Sequence, residues 1–244
     1  MRRCILYSFT LVNIFCKKKK HHHEMRPLIG ACAACIASIC VHPIDTIYIH
    51  KQLKSNQKVF KPMAGCLHSA SSAFITTGLY FSMYEYTFLK IHSPLRIPIS
   101  TFMGTITSSI SATPLTVFKN RVQVRQNNLN VMNQLSLKDW IFLYIIHVFS
   151  KYPATLVKYA IYEPTLSYLN LKYTSMLSGF ISGLLSSFIS ALLFEPIEML
   201  RTYKSLGIVL QHSNVYGGLL FGIFVTIISN TIGHTILETF SPRH

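Results

Sequence analysis

The sequence predicts an all-α membrane protein whose six transmembrane helices form three two-helix repeats. Three observations support this fold class. Half of the 244 residues are apolar and only 13% are charged, whereas soluble domains carry about 25% charged residues. Six apolar segments each reach the length of about 20 residues that a helix needs to cross a bilayer. A proline-containing pattern recurs in every second segment, which indicates an internal repeat.

The six apolar segments follow one another with short polar connections. They cover residues 27–49, 63–89, 97–118, 140–169, 175–200 and 214–240. Ser, Thr, Gly and Pro interrupt them more often than charge does, and membrane bundles tolerate such residues. Lys and Arg concentrate in the loops after the first, third and fifth segments, so we expect these odd segments to end on one basic side.

Residues 1–24 differ from the rest and are predicted to be a basic, low-complexity tail outside the fold. The apolar run Cys4–Cys16 is too short to span a membrane, and the tract KKKKHHH follows it. A solvated run is the interpretation we adopt. A targeting segment and a metal- or lipid-binding tract are the alternatives.

Composition also limits the classes of function. The net charge of +15 can indicate nucleic acid, anionic lipid or anionic substrates, but the bases lie mostly between apolar segments, so we expect no nucleic-acid partner. Cys32 and Cys35 form a C-x-x-C pair, yet no second ligand pair completes a zinc site. No nucleophile–base pair or phosphate-binding loop emerges. We therefore expect no enzyme activity, no metal site and no cofactor.

The repeat is defined by one proline near the end of each odd segment. PIDTIYIHKQ begins at Pro43, PLTVFKNRVQ at Pro114 and PIEMLRTYKS at Pro196. A glutamate near the end of each even segment is the second marker: Glu85, Glu163 and Glu238. Small residues four apart precede each proline and allow close helix packing: Gly30 and Ala34, Thr101 and Thr105, Gly183 and Ser187. The predicted units are residues 25–96, 97–172 and 173–244.

These motifs resemble those of the mitochondrial carrier family. Its signature, Pro-x-[Asp/Glu]-x-x-[Lys/Arg]-x-[Lys/Arg], is similar to HPIDTIYIHKQ, TPLTVFKNRVQ and EPIEMLRTYKS, and its even-helix ends are similar to YFSMYE and KYAIYE. VYGGLLFGIF resembles the aromatic-glycine start of the sixth helix. The resemblance covers about residues 27–240. It implies a six-helix carrier barrel with threefold pseudosymmetry, a central cavity and a gate at each end.

The matrix gate that the resemblance implies is only partly kept. Its candidate residues come from the three proline motifs: Pro43, Asp45, Tyr48, Pro114, Thr116, Lys119, Pro196, Glu198 and Arg201. Asp45 can pair with Lys119, whereas Thr116 replaces the second acid and can at best form a hydrogen bond with Arg201. Tyr48 replaces the first base, and we expect its hydroxyl to meet Glu198.

The cytoplasmic gate is expected to be weaker. The resemblance assigns it Glu85, Glu163 and Glu238, each with a base three residues later. The chain has Phe88, Leu166 and Ser241 at those positions. The three glutamates are therefore expected to lack their usual partners unless Lys90 reaches one, and we predict a weakly closed gate.

The resemblance places substrate contacts on the even helices. The matching positions are Ser72, Ser150, Lys151, Val225 and Thr226. Lys158 lies two helical turns after Lys151, on the same helix face. A lysine at membrane depth that faces a wet cavity attracts anions. Snorkelling, or a pair with Glu163, is the alternative role for these lysines.

Two functions are consistent with this sequence. The first is a transporter that exchanges small anions, such as a nucleotide, phosphate or carboxylate, by alternating access across the mitochondrial inner membrane. The alternative is a degenerate, non-transporting carrier fold that acts as a membrane adaptor or structural protein. We expect a multi-pass monomer in the lipid bilayer, with cardiolipin as a candidate lipid partner.

Overall fold

Six helices make up nearly all of the described chain. The structure is a computed structural model that describes residues 22–52, 62–63, 65–91, 93, 95–123, 136–205 and 212–241. The helices are α1 (His22–Gln52), α2 (Cys66–Lys90), α3 (Arg96–Gln123), α4 (Leu137–Asn170), α5 (Ser175–Ser205) and α6 (His212–Phe240). Each corresponds to one predicted apolar segment. Of the predicted tail, residues 1–21 lie outside the described ranges, and residues 22–24 belong to α1.

Local sequence signals account for two of the helix starts. Ser136 and Asp139 form a capping box at the start of α4, in which each side chain accepts a hydrogen bond from the other residue's backbone N–H. Gly65 precedes α2 with φ at 77°, a left-handed conformation that glycine adopts without strain. The three motif prolines lie inside α1, α3 and α5.

The helices form a closed ring. Each helix packs against the next one in the chain, and α6 packs against α1. Glycines bring some neighbours close together, as the small-residue spacing predicts. A Cβ atom at Gly30 would lie 2.6 Å from the Phe81 ring, and one at Gly183 would lie 3.0 Å from Cβ of His234. A side chain at either position would therefore displace its neighbour, so glycine favours this close packing.

The polarity of the ring is that of a membrane protein. Large apolar side chains point outward, with exposed fractions of 66% at Ile110, 73% at Phe149 and 77% at Leu220. Many buried side chains are hydroxyls instead: Ser72, Ser100, Thr101, Thr105, Ser109, Ser150, Ser178 and Ser182. This arrangement suits lipid outside the ring and polar groups inside it.

Within the described ranges, four helices contain stretches long and apolar enough to cross a membrane. These are Met25–Ile49 in α1, Leu137–Asn170 (all of α4), Ser175–Thr202 in α5 and Leu219–Phe240 in α6. The described residues are therefore consistent with the predicted all-α membrane protein. Two points stay predictions. The first is that α2 and α3 also span the membrane, and the second is that threefold symmetry relates the three repeats.

Candidate transport cavity

A cavity of about 420 Å³ lies inside the ring and touches all six helices. Small and hydroxyl side chains from α1 to α3 form much of its wall. Its basic lining residues are Lys119, Lys151, Lys158 and Arg201. Asp45 is the carboxylate of the lining. A small solute that carries negative charge fits such a wall by size and by charge.

Four of the six predicted substrate residues line this cavity: Ser72, Lys151, Lys158 and Val225. Lys158 Nζ lies 3.4 Å from Oδ1 of Asn230 on α6 and 5.4 Å from the centre of the Tyr159 ring. Lys151 Nζ lies 3.3 Å from Glu198 Oε1, and its side chain is 43% exposed. Neither lysine forms the alternative ion pair with Glu163. Lys151 contacts α5 and Lys158 contacts α6 instead.

The other two predicted substrate residues form hydrogen bonds with glutamates of α5. The Ser150 hydroxyl is fully buried and donates to Glu198 Oε1 at 2.7 Å. The Thr226 hydroxyl donates to Glu195 Oε2 at 3.0 Å. Val225, its neighbour in the chain, lines the cavity. Ser150 and Thr226 thus connect helices, whereas Lys151 and Lys158 are open to a solute.

The end of the cavity near the motif prolines, called the proline end below, contains the expected ion pair between α1 and α3. Lys119 Nζ lies 2.7 Å from Asp45 Oδ2, with side-chain exposed fractions of 20% and 14%. Thr116 lines the cavity beside this pair. Arg201 does not form the expected hydrogen bond with Thr116. Its contacts lie on α4 and α5 instead.

Glu198 is the centre of a second cluster at the proline end. Arg201 Nη2 lies 3.0 Å from Glu198 Oε2, and Arg201 Nη1 also contacts His147 Nδ1 on α4. Lys151 and Ser150 approach the other carboxylate oxygen. The cluster joins α5 to α4 rather than to α1, because the acid and the base of the third motif lie one helical turn apart.

The prediction that Tyr48 meets Glu198 is wrong. The Tyr48 hydroxyl donates to Glu195 Oε1 at 3.2 Å, and Thr226 donates to the other oxygen of the same carboxylate. Glu195 is 6% exposed and joins α1, α5 and α6. Sequence reasoning missed it, although an acid directly before a motif proline in an apolar helix was a usable signal.

At the opposite end of the cavity, called the Arg26 end below, Glu85 and Glu238 lack a base three residues later, as expected, but a cation from α1 contacts both of them. Arg26 Nη2 lies 2.7 Å from Glu238 Oε1, and Arg26 Nε lies 3.2 Å from Glu85 Oε1. Arg26 Nη1 donates to the Ser241 carbonyl at 2.9 Å. Tyr162 donates to Glu238 Oε1 at 3.0 Å. Glu163, the third predicted residue, is half-buried on α4.

Lys90, the base proposed to rescue this end, contacts Tyr86 instead. Its Nζ lies 4.2 Å from the centre of the Tyr86 ring on the exposed side of α2. The motif alignment failed here because the missing cation comes from the first turns of α1. Arg26 is not at any of the positions that the repeat motifs define.

A layer of aromatic rings lies between the cavity and the Arg26 cluster. Tyr80, Tyr159 and His234 line the cavity. Tyr84 stacks on Tyr159 at 5.2 Å, and Tyr162 stacks on His234 at 4.2 Å. Tyr162 then reaches Glu238 with its hydroxyl. Stacked rings and a buried ion cluster together form the floor of the cavity at this end.

The site offers charge and hydrogen bonds rather than reactive groups. The described residues contain no group of three or more His, Cys, Asp or Glu that could hold a metal ion. Cys32 and Cys35 are free, half-buried thiols of α1. A ring of helices with an apolar exterior and a charged internal cavity is the architecture of a membrane protein with a polar interior.

Comparison with known proteins supports this class. No protein-family model matches the chain. It is 28% identical over 154 residues to a protein named Mitoferrin from Dictyostelium discoideum, a mitochondrial carrier. The match covers 53% of this chain and 50% of that protein, so the chain spans about half the length of this relative. The similarity agrees with a carrier-type membrane protein.

Proposed function

We propose that this protein is a mitochondrial-carrier-type transporter that moves small anionic solutes across the mitochondrial inner membrane by alternating access. One observation carries the proposal: two lysines of α4 open into a cavity enclosed by all six helices. A cation at membrane depth is costly unless it faces water, a counter-ion or a solute. An anionic cargo supplies that counter-ion.

The charge balance of the cavity makes Lys158 its central anion-binding group. Lys119 is paired with Asp45, and Arg201 and Lys151 share Glu198. Lys158 contacts the neutral Asn230. In the described part of the chain, no carboxylate oxygen lies within ion-pair distance of its Nζ. Its charge is therefore available to a solute.

Lys151 provides a physical link between cargo and the proline end. Its Nζ is bound to Glu198, the carboxylate that also holds Arg201 and Ser150. An anion that draws Lys151 toward the cavity must compete with Glu198 and weaken that cluster. Such competition converts binding energy into a change of gate stability, which a ligand-driven shift between two states requires.

Phosphate, a small carboxylate and a nucleotide are the cargo candidates that suit this wall. The name of the Dictyostelium relative suggests iron as a further candidate. His147 and His234 line the cavity, but the described residues bring no three metal-ligating groups together. The balance of charges favours an anion over a free metal ion. The experiment includes both.

The test is a thermal-shift screen of the purified protein in detergent, because a ligand of the folded state raises the melting temperature. The panel contains nucleotides, inorganic phosphate, di- and tricarboxylates and ferrous iron. We expect a selective shift with one class of anion, abolished in Lys158→Gln and kept in Lys172→Gln, a change in the exposed turn after α4. Uptake of the same compound into proteoliposomes should follow the same pattern.

Other outcomes decide against this proposal. A shift with ferrous iron alone, unchanged in Lys158→Gln, would replace the anion by a metal cargo. No shift with any compound in a folded sample would favour the non-transporting adaptor. The replacement of the second motif acid by Thr116 is the observation that keeps the adaptor as the alternative, because it leaves Arg201 without a partner on α3.

A further inference from the structure

Arg26 occupies an unusual position between two acidic residues. It is 2% exposed, and its guanidinium contacts carboxylates of two other helices, Glu85 on α2 and Glu238 on α6. Its third contact is the carbonyl of Ser241, beyond the end of α6. A buried guanidinium needs nearby carboxylates, because an uncompensated charge in low dielectric is very unfavourable. The contacts join the first helix to the second and to the last.

The other repeats do not provide an equivalent cation. When the three motif prolines are aligned, Arg26 corresponds to Ile97 and Gly179. Ile97 packs against the apolar cluster beneath the cavity. Gly179 leaves space for Glu238, since a Cβ atom there would lie 2.9 Å from Cβ of Glu238. One arginine thus serves a site that the pattern of the repeat would fill with three bases.

The position of the cluster relative to the cavity defines what it can do. The aromatic layer of Tyr80, Tyr159 and His234 forms the cavity wall on this side, and Tyr162 connects that layer to Glu238. Opening the ring beside α1 separates this helix from α2 or from α6, which Arg26 contacts through Glu85 and Glu238. Either separation breaks a contact of Arg26.

We propose that Arg26 is the residue that holds this end of the cavity closed, and that its release from Glu85 and Glu238 opens it. This proposal rests on the proposed transport function. Without the guanidinium, two buried carboxylates face each other, and their repulsion favours a state in which the helices part and water enters. Arg26 is a positioning residue for the gate and is not a cargo ligand.

The test measures access to the cavity from the Arg26 end, independently of any cargo. All six native cysteines are replaced, and Thr76, which lines the cavity, becomes the single cysteine in Thr76→Cys. A membrane-impermeant maleimide labels the protein in proteoliposomes. Ser93→Cys, in the exposed turn between α2 and α3, reports the fraction of molecules whose Arg26 end faces outward.

We expect Arg26→Gln to raise the labelling rate at position 76 at least tenfold. Lys172→Gln, which removes an exposed cation from the same end of the ring, should leave the rate within twofold. Adding Glu85→Gln and Glu238→Gln to Arg26→Gln removes the repulsion and should lower the rate toward that of the parent. An unchanged rate in Arg26→Gln, or no decrease in the triple variant, would overturn the proposal.

If Arg26→Gln fails to fold, Arg26→Lys provides a second test. Arg26→Lys keeps the charge but cannot contact two carboxylates and a carbonyl in one plane, so we expect a rate between those of the parent and Arg26→Gln. Parent-like labelling in folded Arg26→Lys would then count against the proposal. Altered access without uptake of any panel compound would reject the transport function while supporting the gate.

Discussion

The two ends of the cavity are held by different kinds of contact. At the Arg26 end, one buried cation joins three helices, and Glu238 is fully buried. At the proline end, contacts are spread over the Asp45–Lys119 pair, the Glu198 cluster and the Tyr48–Glu195 hydrogen bond. The Lys119 side chain is 20% exposed. The difference indicates one strong contact at the first end and several weaker, partly wet contacts at the second.

The largest expected effect follows from removing a buried partner at the Arg26 end. Glu238→Ala leaves Arg26 and the Tyr162 hydroxyl without their shared acceptor. Breaking a buried ion pair from one side costs about 3–5 kcal/mol in the free energy of unfolding. Unfolding in detergent measures it, with Lys172→Gln as an exposed control. A loss no larger than that of Lys119→Ala would remove the contrast between the two ends.

The second prediction concerns competition between cargo and Glu198. Glu198→Gln releases Lys151 from its carboxylate, so an anionic ligand should bind about tenfold more tightly, equivalent to about 1.4 kcal/mol. Ligand-dependent melting curves in detergent provide the affinity. Glu195→Gln is the matched control on the same helix, and its affinity should stay within about twofold of the parent. Equal or weaker binding in Glu198→Gln would show that Lys151 is not shared.

A smaller effect is expected for the single ion pair between α1 and α3. Lys119→Ala removes a partly exposed pair, and such pairs contribute about 1 kcal/mol or less. The consequence for transport should be larger than that for stability, because exchange loses selectivity when the proline end loosens. Counter-exchange and leak in proteoliposomes measure this. Normal exchange with normal leak would exclude Asp45 and Lys119 from the gate.

The sequence was sufficient for features that repeat and insufficient for features that occur once. Segment length predicted the six helices, and the resemblance of the proline motifs to the carrier signature implied the Asp45–Lys119 pair. They could not predict the partners of Glu85 or Tyr48, because Arg26 and Glu195 have no counterparts in the other units. Such contacts depend on which helix faces come together in the ring. The spacing of the repeat and the composition of the segments do not show which helix faces meet at a residue that appears in only one repeat.

The smallest effect tests one of these single features, the Glu195 carboxylate, through the glycine beside it. A Cβ atom at Gly222 would lie 2.2 Å from Glu195 Oε1. Gly222→Ala must therefore displace the carboxylate from Tyr48 or Thr226. We expect a net loss of about 0.5–1 kcal/mol in the free energy of unfolding. This net value already includes the gain of up to about 1 kcal/mol that alanine brings to a helix.

Gly233→Ala is the matched comparison on the same helix, because nothing lies within 4 Å of a Cβ atom there. It should stabilise the protein by the helix-propensity gain alone, about 0.5–1 kcal/mol. Melting temperatures that move in opposite directions for the two variants would show that Glu195 is held in place at the proline end. If both rise together, the carboxylate is free to move, and the Tyr48–Glu195–Thr226 contact does not join α1 to α5 and α6.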